Sequence, residues 1–138
     1  MKYLLDTNVI SEMQKSNCNE NVISFTNTIH WEDMYISAIS MGELCYGMEK
    51  LELGKKKHDL AVWLYTKVPE WFNDRIISLE TEVLLEWGKI RAKAQRTMPV
   101  VDTLLASTAI CHHMFLVTRN TKDFEDIEGI NLINPWEF

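Results

Sequence analysis

Five short apolar runs alternate with longer segments of helical periodicity, and this alternation constrains the fold more than any other feature. The predicted strands are Lys2 to Asp6, Met34 to Ser37, Arg75 to Ser78, Phe115 to Thr118 and Asn131 to Ile133. The predicted helices are Asn8 to Gln14, Glu20 to His30, Ser40 to Leu53, Lys56 to Phe72, Thr81 to Arg96 and Asp102 to His112. Strands that alternate with helices form a mostly parallel sheet covered on both faces. The sequence therefore predicts a three-layer α/β/α sandwich.

The chain has 138 residues, which is the length of one domain, and no linker or repeat divides it. We therefore expect residues 1–138 to form a single domain. The three cysteines, Cys18, Cys45 and Cys111, are odd in number and widely spaced, which argues against a disulfide framework or a cysteine zinc site. No segment has the apolar length of a signal peptide or of a membrane span. These features indicate a soluble, cytoplasmic protein with no membrane partner.

The charge balance limits how the chain can contact a nucleic acid. Twenty Asp and Glu outnumber 14 Lys and Arg, which gives a net charge of −6. A protein of this charge has no broad positive field to wrap a polyanion. Any contact with a nucleic acid must be local.

Four acidic residues from distant parts of the chain follow strands or begin helices. Asp6 ends the first strand, Glu43 lies near the start of the helix after the second, and Asp102 begins a late helix. Asp123 follows the fourth strand. In an open parallel sheet, ligands bind beyond the carboxyl ends of the strands. We therefore expect these side chains to converge on one edge of the sheet.

Each acid also has a purely structural interpretation. Asp6 and Asp102 suit helix N-caps, Ser40 and Glu43 match the ends of a capping box, and Asp123 suits a turn. Helix caps need no apolar flanks, however, and three of the acids have them. A partly buried carboxylate cluster repels itself unless a cation neutralises it. The set together therefore favours a site for Mg²⁺ or Mn²⁺, which take oxygen ligands and bind phosphate oxygens.

Other features of the sequence have structural interpretations. The tract Lys55 to Lys57 follows Gly54, a candidate helix C-cap, and is predicted to be a solvated turn. Trp63 falls at a helical position compatible with core packing. The four histidines lack the spacing of a metal site, and no GxSxG elbow indicates a serine hydrolase.

Five motifs in order resemble one known family across essentially the whole chain. They are LDTNVIS at residues 5–11, ISMGEL at 39–44, DTLLASTA at 102–109, VTRN at 117–120 with DF at 123–124, and NPW at 134–136. In these motifs the chain resembles the PIN-domain ribonucleases. Within them it is most similar to the VapC toxins of type II toxin–antitoxin pairs, in the FitB-like branch.

The resemblance implies an endoribonuclease that depends on Mg²⁺ or Mn²⁺ and hydrolyses RNA with a metal-activated water. It also implies inhibition by a cognate VapB-like antitoxin, contact with operator DNA only through that antitoxin, and a homodimer. By position, Asp6, Glu43 and Asp102 match the acidic metal-site residues. Asn8 and Thr118 match polar positions that order the site.

The resemblance leaves the last metal-site position open between two residues. Some relatives carry an acid where this chain has Asn120, and others carry it three residues later, where this chain has Asp123. Either Asp123 supplies a carboxylate or Asn120 supplies a carbonyl oxygen to the ion or to a water bound to it.

Two other functions are compatible with parts of the sequence. Receiver-type phosphoacceptor domains also carry an Asp at a strand end, but they need an adjacent pair of acids, whereas Asp6 is followed by Thr7 and Asn8. A non-catalytic PIN-like module would hold an antitoxin and its operator without any affinity for divalent ions.

Overall fold

A parallel sheet of five strands forms the centre of the computed structural model, which describes residues 1–138. The strands are β1 (Tyr3–Leu5), β2 (Met34–Ser37), β3 (Ile76–Ile77), β4 (Phe115–Val117) and β5 (Leu132–Ile133). Their order is β3-β2-β1-β4-β5, and every pairing is parallel. The chain therefore begins in the middle of the sheet, builds one side, and then crosses back to build the other.

Helical segments connect the strands, as the periodicity predicts. They are α1 (Thr7–Met13), α2 (Glu20–Thr28), α3 (Ala38–Glu49), α4 (Lys55–Val62), α5 (Val68–Phe72), α6 (Thr81–Lys93) and α7 (Val100–Cys111). A π-helical turn, Trp63–Lys67, joins α4 to α5, so the predicted helix through Phe72 is continuous but not regular. None of the helices is long and apolar enough to cross a bilayer.

The predicted strands and helices are all present, but several helix ends differ for local reasons. Helix α3 begins at Ala38, two residues before the predicted start, because Ser37 caps it with a hydroxyl that accepts from the Ile39 amide at 3.2 Å. Helix α6 ends at Lys93 because Ala94 is extended. Gly54 precedes α4 as its N-cap, so the prediction of a C-cap followed by a solvated turn is wrong.

Two separate cores show that both faces of the sheet are covered. Because side chains alternate along a strand, Leu4 and Leu5 belong to different cores. Leu4 packs with residues of α6 and α7, including Ile90, Leu105, Ala106 and Ala109. Leu5 packs with residues of α1, α2 and α5, including Val9, Ile10, Phe25, Val68 and Phe72. The three-layer α/β/α architecture predicted from the sequence is confirmed.

Arg75 ties the edge of the sheet to the helices that precede it. Its Nη1 donates to the carbonyl oxygens of Trp31 at 2.5 Å and Met34 at 2.8 Å, and its Nη2 donates to that of Trp71 at 2.6 Å. The guanidinium also lies near the ring of Phe72, 5.7 Å from its centroid. One side chain thus fixes the start of β2, the end of α5 and the start of β3 relative to one another.

Replacing Arg75 by Met tests this clamp, because the substitution keeps an apolar stem and removes all three donated hydrogen bonds. We expect the free energy of unfolding in urea to fall by about 2 kcal/mol, the range for hydrogen bonds that involve a charged group. Arg91→Met is the matched control, since the Arg91 guanidinium only stacks on Trp87 at 4.8 Å, and it should cost less than about 1 kcal/mol. Equal losses in both variants would contradict the role of Arg75.

Candidate functional site

A cleft lies where the order of the strands reverses. Strand β1 has β2 on one side and β4 on the other, so the boundary between β1 and β4 is the switch point at which α/β sheets bind ligands. Asp6 follows β1 and Thr118 follows β4. The cleft has a volume of about 600 Å³. Its polar lining consists of Asp6, Thr7, Asn8, Ser11, Gln14, Lys15, Glu43, Lys56, Asp102 and Asn120.

Asp6 is held from two sides. It is buried, with 7% of its surface exposed. Its Oδ1 accepts from the Thr7 amide at 2.6 Å, so the carboxylate does cap α1. Its Oδ2 accepts from the Thr118 hydroxyl at 2.8 Å. The second bond comes from the far end of the sequence, which a helix cap alone does not require.

Thr118 and Asn8 order the junction between β1 and β4. Thr118 is fully buried, and its Oγ1 donates to Asp6 while it accepts from the Asn120 amide at 3.1 Å. Asn8 Oδ1 accepts from the Arg119 amide at 3.4 Å. The position of the backbone at Asn120 is therefore linked through one hydroxyl to the carboxylate of Asp6.

Glu43 projects toward α1 from the second turn of α3. The predicted capping box is wrong, because Ser37 rather than Ser40 caps the helix. Ser40 is buried within the helix, and its hydroxyl has no hydrogen-bond partner. Glu43 instead accepts from the Thr7 hydroxyl at 3.0 Å through Oε1. Thr7, which the sequence does not single out, thus orients two carboxylates: its amide serves Asp6 and its hydroxyl serves Glu43.

Asp102 faces the cleft without any hydrogen bond from the protein to its carboxylate. It is the third residue of α7, and the N-cap position belongs to Pro99, so its predicted capping role is wrong. Burial and, to a lesser extent, the charges of Asp6, Asp123 and Glu43 together raise the pKa of Asp102 to about 6. The protein alone therefore stabilises the ionised form of this carboxylate poorly.

The negative charge of the site is largely uncompensated. Burial raises the pKa of Asp6, the hydrogen bonds from Thr118 and Thr7 oppose this rise, and the charge of Glu43 adds to it. The Arg96 guanidinium is the one cation that lowers the pKa of Asp102, and its effect is the smallest of those that act on this group. A bound cation would offset this negative charge and lower the pKa values of the carboxylates. The site is therefore suited to a cation.

The structure brings Asn120, and not Asp123, to the wall of the cleft. Asn120 lines it. Asp123 is exposed on the short 3₁₀ turn Thr121–Asp123, and its carbonyl oxygen accepts from Arg96 Nη2 at 2.6 Å. Its charge nevertheless contributes to the raised pKa of Asp102. Of the two residues that the sequence left open, only Asn120 lines the cleft.

The donor set fits a hard divalent ion held partly through water. No three His, Cys, Asp or Glu side chains lie close enough together to form a preformed metal cage. The cleft instead offers carboxylate oxygens from Asp6, Glu43 and Asp102 and the amide of Asn120. Mg²⁺ keeps several waters and contacts one or two carboxylates directly. Zn²⁺, in contrast, is bound mostly by histidine nitrogens and cysteine sulfurs. The chemistry of these residues therefore fits Mg²⁺ or Mn²⁺.

Asp102→Asn should stabilise the metal-free protein at high pH. Because folding raises the pKa of Asp102 from 3.8 to about 6, stability falls as the pH rises through this interval and stays reduced above it. We expect the variant to be more stable at pH 8 in EDTA by on the order of 1 kcal/mol, a value discounted for the exposure of this group. The difference should vanish near pH 4.

Urea unfolding of both proteins at pH 8 and pH 4 measures this difference. Asp74→Asn, at an exposed position away from the cleft, is the control and should change stability by less than about 0.5 kcal/mol at either pH. A lower stability of Asp102→Asn than of the wild type at pH 8 would contradict the prediction. It would mean that burial and the neighbouring carboxylates do not destabilise the ionised Asp102 side chain.

Comparison with known proteins gives the same family from sequence and from structure. The PIN domain family model matches residues 3–130. Toxin FitB from Neisseria gonorrhoeae is 35% identical over 136 residues, which are 96% of this chain and 97% of FitB. The tRNA(fMet)-specific endonuclease VapC from Salmonella typhimurium is 33% identical over 141 residues, with 99% of this chain and 98% of VapC covered.

A solved structure of FitAB bound to an IR36 DNA fragment superposes with a TM-score of 0.90 at 33% identity. The match covers 99% of this chain and 96% of the other. The family model and these relatives each span nearly the whole sequence, including every residue of the cleft named above. The chain therefore belongs to the PIN-domain family, in the VapC-type branch that includes FitB.

Proposed function

We propose that this chain is an endoribonuclease that depends on Mg²⁺ or Mn²⁺ and serves as the toxin of a type II toxin–antitoxin pair. One observation carries the proposal: Asp6, Glu43 and Asp102 come from distant segments, line one cleft, and carry charge that the protein leaves uncompensated. The relatives named as a toxin and as an endonuclease support the nuclease activity.

In this proposal, Asp6, Glu43 and Asp102 hold the ion directly or through water, and Asn120 completes the shell. Asp123 lies outside the cleft and affects the site only through its negative charge, which contributes to the raised pKa of Asp102. An ion held by these residues would supply positive charge to phosphate oxygens and would favour attack of water on phosphorus. No side chain needs to act as a nucleophile.

Thr7 and Thr118 orient the carboxylates that would bind the ion. Thr118 donates to Asp6 and thereby favours its ionised form, because a hydrogen bond to a carboxylate lowers its pKa. The Thr7 hydroxyl donates to Glu43 and fixes its carboxylate relative to α1. Groups that orient the ligands of a metal commonly matter almost as much as the ligands themselves.

We further propose a cognate VapB-like antitoxin as the partner, with operator DNA contacted only through it, and a homodimer in the cytoplasm. The structure of FitAB on a DNA fragment supports the partner and the indirect contact with DNA. The free thiols of Cys18, Cys45 and Cys111 are compatible with a reducing compartment.

The direct test of the chemistry is cleavage of a mixed RNA pool by protein freed of antitoxin. We expect cleavage with Mg²⁺ or Mn²⁺, its loss in EDTA, and a decrease of about a hundredfold or more for Asp6→Asn. Asp74→Asn should retain full activity, and circular dichroism should show that both variants are folded. Equal cleavage in EDTA, or by Asp6→Asn, would contradict the mechanism. Antitoxin binding without any cleavage would indicate the non-catalytic module instead.

Thr118→Val should separate ordering of the site from folding. The valine fills the same buried volume but cannot donate to Asp6 or accept from the Asn120 amide, so we expect the cleavage rate to fall by about 10- to 100-fold. Thr118→Ser keeps the hydroxyl and should restore most of the rate. The measurement is the initial rate at saturating Mg²⁺. If the serine variant is as slow as the valine variant, the hydroxyl is not what matters.

A further inference from the structure

Arg96 connects two segments that carry residues of the acidic cleft. It lies in the connection between α6 and α7, just before the helix that carries Asp102. Its Nε and Nη2 donate to the two carboxylate oxygens of Asp126 at 3.1 Å each, and Nη2 also donates to the carbonyl oxygen of Asp123 at 2.6 Å. Asp123 and Asp126 belong to the segment that follows β4 and Asn120. We call these three hydrogen bonds the Arg96 bridge.

The bridge holds the part of this segment that has no other side-chain contact by hydrogen bonding. At the start of the segment, the Asn120 amide donates to the Thr118 hydroxyl at 3.1 Å. Further along, Phe124 and Ile127 are buried in the core that packs against α6 and α7. Between these points lies the 3₁₀ turn Thr121–Asp123, to which Arg96 is the only side chain that donates a hydrogen bond. The orientation of the turn relative to α7 therefore depends on Arg96.

The ion pair of the bridge is too exposed to be a main source of stability. The side chains of Arg96 and Asp126 are 41% and 53% exposed. Exposed ion pairs contribute little to folding, because water screens the charges and the side chains lose freedom. A guanidinium that donates two bonds to one carboxylate nevertheless fixes the direction of both groups. The bridge thus orients the two segments more than it stabilises them.

The positive charge of Arg96 does not explain why it lies near the cleft. This charge lowers the pKa of Asp102, so it acts on the site. A positive charge that attracts the Asp102 carboxylate also repels a divalent ion bound beside it. Any contribution of Arg96 to ion binding must therefore come from geometry, and it must exceed the repulsion.

The following inference rests on the proposed metal-dependent function. We propose that Arg96 is a positioning residue of the ion site, which fixes Asp102 and Asn120 relative to each other so that one ion or its bound waters can reach both. Thr118 already links Asn120 to Asp6. The Arg96 bridge adds the link to the segment of Asp102 that the threonines do not supply.

Binding of Mn²⁺ to the antitoxin-free, full-length chain, measured by calorimetry, tests the inference. We expect Arg96→Met and Arg96→Lys each to weaken binding by about three- to tenfold, at or below the lower end of the range for groups that contact metal ligands directly. Lysine keeps the charge but lacks the planar fork that reaches Asp126 and Asp123 together. Arg91→Met is the matched control, because it removes the same charge from a guanidinium that stacks on Trp87. It should bind Mn²⁺ within about twofold of the wild type.

Amide hydrogen exchange in EDTA tests the orientation of the turn without any ion. The amides of Asp123 and Phe124 donate to Asn120 O and Thr121 O at 3.0 Å each. We expect both amides to exchange severalfold faster in Arg96→Met, whereas the Thr118 amide, which donates to Ile133 O in the sheet, should be unchanged. The midpoint of urea unfolding should shift by less than about 0.5 M, which would separate positioning from loss of the fold.

Two results would overturn the inference alone. One is tighter Mn²⁺ binding by Arg96→Met with unchanged binding by Arg96→Lys, because Arg96 would then act only through its charge. The other is unchanged exchange of the turn amides in Arg96→Met. A wild-type protein that binds no Mn²⁺ would refute the proposed function and this inference together. A wild-type protein whose Mn²⁺ binding depends on Arg96, but which never cleaves RNA, would refute only the proposed function.

Discussion

The hydrogen bond from Thr118 Oγ1 to Asp6 Oδ2 joins residues 112 positions apart and closes the boundary between β1 and β4. It exists because the chain begins in the middle of the sheet and returns to β1 only after β3 is complete. Around this bond the fold assembles the site: Thr7 brings Glu43 across from α3, Asn120 is linked through Thr118, and α7 presents Asp102. The geometry of the cleft is thus a consequence of strand order.

The stability of the fold and the chemistry of the cleft are opposed. Two buried cores and the Arg75 clamp hold the sheet together, and the sheet in turn holds carboxylates at positions where burial and like charge raise their pKa values. Sites arranged for function commonly reduce stability in this way. A divalent ion would remove most of that cost.

The elements and the position of three of the four acids in the cleft were predictable because they depend on local pattern and on one topological rule. Asp6 and Asp102 stand next to apolar runs, and the rule for parallel sheets places them at one edge. The errors arose where a short motif has two solutions. Ser40 begins an apparent capping box, yet Ser37 caps α3 one turn earlier, and Gly54 precedes a helix rather than following one. That Asn120 rather than Asp123 lines the cleft depends on the 3₁₀ turn Thr121–Asp123, which the sequence motif does not encode.

The central claim is that these carboxylates gather around a divalent ion, and anomalous diffraction from crystals grown with Mn²⁺ tests it most directly. The account predicts an anomalous peak in the cleft among the oxygens of Asp6, Glu43 and Asp102, with Asn120 or water completing the shell. A map without a peak in the cleft at saturating Mn²⁺ would contradict it. So would a peak elsewhere, with the three carboxylates engaged only by hydrogen bonds within the protein.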